Sequence, residues 1–145
     1  MEPKIRNARV KLDVAFEEKL PHPVEAVWSE LTDKIAISDW LMPTDDFKPA
    51  VGCRFRMKPL SIDGLVDAEV LEFEAPRRMV WSWSVDDRNP PSKVTFMLAR
   101  DGAGTRLRLR HVGEFDPVVA GIFRDDWPGR IKALVELIGR PGGSD

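Results

Sequence analysis

The chain of 145 residues carries 22 Lys and Arg against 24 Asp and Glu, a net charge of -2, and a single cysteine, Cys53. That length suits one domain with a sizeable core, and the near-neutral balance leaves no electrostatic footprint for nucleic acid or an anionic membrane. One cysteine excludes an internal disulfide and a cysteine-cluster metal site; with no signal-like start and no run of 18 apolar residues, the expectation is a cytoplasmic protein without membrane insertion.

In chain order, residues 9–20 place Val10, Leu12, Val14 and Phe16 on one face and Lys11, Asp13, Ala15 and Glu17 on the other, the alternation of a half-buried strand. After His22 and Pro23, the residues Val24, Val27, Trp28 and Leu31 recur at helical spacing until Asp33, and a second short helix is expected over about Lys34 to Ser38, ending at Asp39 and Trp40. The Pro- and Asp-rich segment 43–52 reads as a polar rim loop. A meander follows: Cys53, Phe55 and Met57 oppose Arg54, Arg56 and Lys58, residues 61–64 turn the chain, 65–73 run back, and 75–77 turn again. In 65–73 the alternation fails, because Val66, Ala68 and Val70 fall on one face and Leu71 and Phe73 on the other; a bulge at a position the pattern leaves open reconciles them.

Met79, Trp81 and Trp83 share a face of the next strand, closed by the loop DDRNPPS, and Val94, Phe96 and Leu98 share one in the strand after it. Residues 101–104 are the sharpest hairpin signal. The last strand points Leu107, Leu109 and His111 one way and Arg106, Arg108 and Arg110 the other. In the final helix Trp127, Ile131, Leu134, Val135 and Ile138 form an apolar stripe; Asp125 and Asp126 suit its cap, Pro128 its first turn, and Gly139 with Pro141 its end. The whole predicts a single α+β domain over 1–145 with an ordered core at about 9–139. A curved antiparallel sheet of about six strands wraps a long C-terminal helix, and two short helices follow the first strand.

The segments PVEAVWSELTDKIAISDWL, AEVLEFEAPRRMVWSW, VTFMLARDGAGTRLRLRHVGEF and DDWPGRIKALVELIG, in this order and spacing, resemble the family of activator of heat-shock-protein ATPase homologues, within the START-like, polyketide-cyclase-like (SRPBCC) superfamily. The resemblance covers about Val10 to Ile138. It implies a helix-grip fold with a hydrophobic cavity between the sheet and the long helix. It implies no shared catalytic machinery, because members bind lipids and hormones, serve as polyketide cyclases or bind a chaperone. Cys53 and Arg54 stand after Gly52 where many relatives have a second glycine, and the chain has no tyrosine.

Strand alternation puts Phe55, Trp81, Trp83, Phe96, Leu109 and His111 on one face, the helix period brings Trp127 and Ile131 onto it, and the resemblance implies a gap between them, entered beside residues 43–51. Apolar walls with one imidazole suit a hydrophobic or aromatic small molecule with one polar handle. His111 there is a base or ligand contact on one reading and a core histidine bonded to a backbone carbonyl or an indole on the plainer one. Asp45 with Asp46, and Asp86 with Asp87, read as solvated turn residues; no metal and no cofactor is expected. The expected function is binding of a hydrophobic small molecule. The alternatives are a polyketide cyclase or hydrolase-like enzyme using His111, with Asp39 or Glu114 as its second polar group, and a co-chaperone-like stimulator of a heat-shock ATPase acting through its surface.

Overall fold

The computed structural model describes residues 8–59, 64–85 and 89–139. Strand β1 (Val10–Leu20) leads into α1 (Val24–Leu31) and α2 (Lys34–Trp40). Then come β2 (Arg54–Met57), β3 (Val66–Glu74), β4 (Arg78–Ser84), β5 (Ser92–Asp101) and β6 (Gly104–Phe115), and finally α3 (Pro117–Ile138). The six strands form one antiparallel sheet in the order β1-β6-β5-β4-β3-β2, so the first strand returns to pair with the last. This is the α+β helix-grip fold, and α3 lies against its apolar face.

Local sequence explains most of the boundaries. Helix α1 buries Val24, Val27, Trp28 and Leu31, one stripe at helical spacing. Asp33 separates the two short helices and caps the second, its carboxylate accepting the Ala36 N–H at 2.9 Å. The β5–β6 hairpin turns through Gly102, whose φ of 61° is open to glycine at little cost. In β3 the bulge falls at Leu71: the register with β4 slips between Val70 and Glu72, and Leu71 is left 36% exposed. The extra residue returns Phe73 to the core side, where its ring meets that of Trp28 at 5.4 Å.

The structure corrects three expectations. Helix α3 begins at Pro117, not at Asp125: Asp116 is its cap, accepting from the N–H groups of Val118 and Val119, and Pro128 lies inside the helix. Both segments, Asp116-Pro117 and Asp126-Trp127-Pro128, carry cap chemistry, and the earlier one starts the helix. The interior proline is tolerated because Arg124, the residue whose carbonyl loses its partner, is exposed to water, as Pro128 is. The segment 43–52 is no mere rim, since Thr44 and Phe47 are buried in it. Ser92, read as a loop residue, is the first residue of β5 and is buried. The expected turn at 61–64 falls mainly, and the pair Asp86 and Asp87 wholly, outside the described residues.

On the solvent side of the sheet, Arg106, Arg108 and Arg110 point outward as the alternation requires. Arg110 pairs with Asp13 at 2.7 Å, Arg108 and Arg106 with Glu17, Arg56 with Asp67 and Arg78 with Glu72. Among the described residues no helix is long and apolar enough to cross a membrane.

Candidate functional site

The eight side chains expected to line the space between sheet and helix are all buried, each at most 4% exposed, and the seven other than His111 belong to one hydrophobic core cluster. They divide into two aromatic groups. Toward the 43–52 segment, Trp81 is the hub: its ring lies 4.7 Å from Phe96 and 5.0 Å from Phe55. Phe47 reaches in from the segment to within 5.0 Å of Phe55 and 5.9 Å of Trp81, and Trp40, at the end of α2, meets Phe96 edge-on at 6.3 Å. Toward the start of α3, Trp83 packs on His111, Phe123 and Trp127 at 5.0, 5.6 and 5.7 Å, and Phe115 closes the group against Phe123 at 5.3 Å.

His111 anchors the second group. Trp127 Nε1 donates to its Nδ1 at 3.0 Å, and Ser92 Oγ lies 2.8 Å from its Nε2. An indole N–H can only donate, so Nδ1 is the acceptor and the neutral ring carries its proton on Nε2, which donates to Ser92. The Ser92 hydroxyl in turn donates to the Trp83 carbonyl at 3.0 Å. The chain Trp127, His111, Ser92, Trp83 thus satisfies both imidazole nitrogens, the Trp127 indole and the Ser92 hydroxyl, and leaves the Trp83 indole N–H outside it. Gly113, one pleat on from His111, leaves the room: a Cβ there would run into the Ser92 side chain.

Burial pushes the His111 pKa down from 6.5 to about 3, so the ring is neutral at physiological pH. With both nitrogens engaged and no solvent exposure, it has no site left from which to take a substrate proton. Asp39 and Glu114, its proposed acid–base partners, are both exposed and so do not share its buried environment. The plainer reading of His111, a core histidine bonded to an indole, is the one the geometry carries.

The first group is bonded differently. The indole N–H groups of Trp40 and Trp81 and the Thr44 hydroxyl are buried with no hydrogen-bond partner among the described residues, as is the indole N–H of Trp83 in the second group. Against Trp81 and Phe55 lies the 43–52 segment, which has neither helix nor strand and is held by a few contacts. The Ser38 hydroxyl bonds the Thr44 backbone, Lys58 N–H donates to the Pro43 carbonyl, and the Cys53 thiol accepts from Lys48 N–H and donates to the Asp46 carbonyl.

Space inside is small. A crevice of about 10 Å³ lies between Leu41, Met42, Trp83, Phe123 and Trp127, about one water at most. Broader concavities of about 680 and 490 Å³ lie on the outer side of the sheet, among the paired charges of β2–β4 and of β1, β5 and β6. Among the described residues no three His, Cys, Asp or Glu side chains converge as metal ligands do.

Phe47, Trp40, Phe123 and Ser92 were missed from the sequence. Phe47 is a lone aromatic in a polar segment, a signal available but outweighed by its neighbours. Phe123 stands four residues before Trp127 and extends the same stripe once the helix starts at Pro117. Ser92 gave no signal.

The family model for Activator of Hsp90 ATPase homolog 1-like protein matches residues 21–139. The chain belongs to this family. Protein MLL2253 from Mesorhizobium loti is similar in structure with a TM-score of 0.79 and is 34% identical in sequence, over 89% of this chain and 98% of that one. CalU16 from Micromonospora echinospora, 24% identical over 94% of this chain and 88% of its own, has a TM-score of 0.73 and shares the fold. DynU16, a protein of the dynemicin biosynthetic locus, does so at 21% identity and a TM-score of 0.72, over 86% of this chain and 46% of its own. No curated protein matches the chain. In this member of the Activator of Hsp90 ATPase homolog 1-like family, a hydrogen-bond chain through His111 lies at one end of the core and the unpaired indoles of Trp40 and Trp81 at the other.

Proposed function

We propose that this protein binds a hydrophobic small molecule at the loop end of its core. The ligand takes the place of the Phe47 ring against Phe55, Trp81 and Phe96, and extends inward toward Trp83, Leu109, Trp127 and Ile131; His111 borders the site as part of its wall. One observation carries this reading: an interior aromatic wall is closed off by a single ring on a segment without regular structure. Exposing one phenylalanine costs about 1.5–3 kcal/mol, and a ligand of micromolar affinity, about 8 kcal/mol, offsets it. Family membership supports the reading at the level of class.

Tryptophan emission tests it, because four of the five indoles line or border the site. Titration with flavonoids, polyketide-like aromatics and fatty acids is expected to give a saturable shift or quench with at least one class. Phe47→Ala, which removes the plug, should bind the same compound about tenfold more tightly. If neither protein responds saturably to the panel, internal binding fails. A surface-acting role, such as stimulation of a heat-shock ATPase, then becomes the better reading of the family.

A further inference from the structure

The core leaves a specific set of hydrogen-bonding groups unused. Three buried indole N–H groups, on Trp40, Trp81 and Trp83, have no acceptor among the described residues. Native cores leave few donors in this state, because an unpaired buried N–H has given up its bond to water and gained nothing in return. Three in one core, with Trp40 and Trp81 at the loop end and Trp83 two residues along β4 from Trp81, is therefore an unbalanced inventory. Edge-on ring contacts such as Trp40 on Phe96 offer at most a weak N–H···π substitute.

The inventory is also one-sided. An indole N–H donates and cannot accept. The one imidazole lone pair in the core, on His111 Nδ1, is already taken by Trp127, and the Ser92 hydroxyl is committed to the Trp83 carbonyl. Thr44 adds one further buried hydroxyl without a partner among the described residues. Among the described residues no Asp, Glu, Lys or Arg is buried, and His111 is neutral at physiological pH. A charged headgroup brought inside would lose its hydration and find no counter-ion among the described residues.

We infer that the occupant of this site is an uncharged, flat molecule rich in hydrogen-bond acceptors and poor in donors: an aromatic frame bearing ketone or ring-ether oxygens. This rests on the proposed internal binding and narrows it. A carbonyl oxygen has two lone pairs and can accept from two indoles at once, so one ketone placed beside Trp81 suffices for Trp81 and a neighbour. The Trp127 N–H, bonded to His111, takes no part.

Protein with ¹⁵N-labelled tryptophan gives one indole N–H signal per residue, assigned by single Trp→Phe variants. It is titrated with 9-fluorenone, with fluorene as its hydrocarbon counterpart, and with fluorene-9-carboxylate. Fluorenone should saturate and move at least one signal of Trp40, Trp81 and Trp83 downfield, leaving that of Trp127 in place. Fluorene should bind about tenfold more weakly without a downfield shift, and the carboxylate more weakly still. Trp81→Phe should narrow the preference for the ketone; where that variant fails to fold, the wild-type spectra decide. Equal binding of fluorene and fluorenone, or tighter binding of the carboxylate, overturns the inference and leaves internal binding standing. No saturable shift with any of the three overturns the inference, and internal binding fails with it if the wider panel on the Phe47→Ala variant is also silent.

Discussion

The two ends of the core hold similar side chains in opposite states of completion. At the α3 end, Trp127, His111 and Ser92 are linked by a hydrogen-bond chain that ends on the Trp83 carbonyl, with Phe123 packed against it and the Trp83 indole N–H left out. At the loop end, Trp40 and Trp81 are just as deeply buried, yet their N–H groups have no partner among the described residues. Packing density does not separate the two. The hydrogen bonds do: the first end has a linked chain through His111, whereas among the described residues no side-chain hydrogen bond joins Trp40, Trp81 or their ring neighbours at the second. The covering differs in the same sense, because α3 seals one end with a 22-residue helix whereas an irregular segment with one inserted ring seals the other.

The comparison breaks most visibly at His111. His111→Leu leaves the Trp127 N–H without an acceptor and strips Ser92 of a partner, and urea unfolding should show a loss of about 3–5 kcal/mol. A loss below about 1 kcal/mol would mean that the chain holds nothing together.

Acid should act on the same end. The unfolded chain takes a proton on this imidazole below about pH 6.5, while burial keeps the folded ring neutral until about pH 3. The stabilisation is therefore present in full above pH 6.5 and is lost as pH falls through that window, by about 1.4 kcal/mol per pH unit. His111→Leu should lack that slope. Asp13, held below its ordinary value by its hydrogen bond to Arg110, adds a loss of the same sign only below about pH 4, its ordinary value being 3.8. Equal slopes in the two proteins between pH 4 and 6 would contradict the assignment.

A matched pair sharpens the contrast between the ends. Trp127→Phe and Trp81→Phe delete the same atoms from equally buried sites, but only the first breaks a hydrogen bond. The first should cost more, by about 1–2 kcal/mol in chemical denaturation. Should Trp81→Phe prove the costlier, its N–H has a partner and the loop end is complete after all.

The smallest effect belongs to the outer face. Changing Arg106, Arg108 and Arg110 to Ser removes ion pairs whose partners are a third or more exposed. Each change should cost within about 0.5 kcal/mol, with cooperative thermal unfolding retained. A loss of several kcal/mol would place these charges in the stability of the fold.

Much of the architecture follows from the sequence alone. Period-two alternation in β1, β2, β5 and β6 put the right residues on the buried face, and so placed Phe55, Phe96, Leu109 and His111 on the side that α3 covers. Helical spacing did the same for Val24, Val27, Trp28 and Leu31 and for Trp127, Ile131 and Leu134. These features are local, because a residue's face is set by its position in the repeat.

The remainder waited for tertiary structure. The failed alternation in 65–73 demanded a bulge, but pairing with β4 chose Leu71. Asp125 and Asp126 are as good a helix cap as Asp116 when read alone; the continuous stripe through Ala120 and Phe123 made the earlier start win. His111 was placed correctly by its strand, whereas its role hung on Ser92, which is far from it in sequence and adjacent only across the β5–β6 ladder. Phe47 sits in a polar neighbourhood and is buried because the chain folds it back over Phe55 and Trp81. Periodicity reports which way a side chain points; which partner it finds, and whether a donor finds any, depends on segments that meet only when the sheet has closed around the helix.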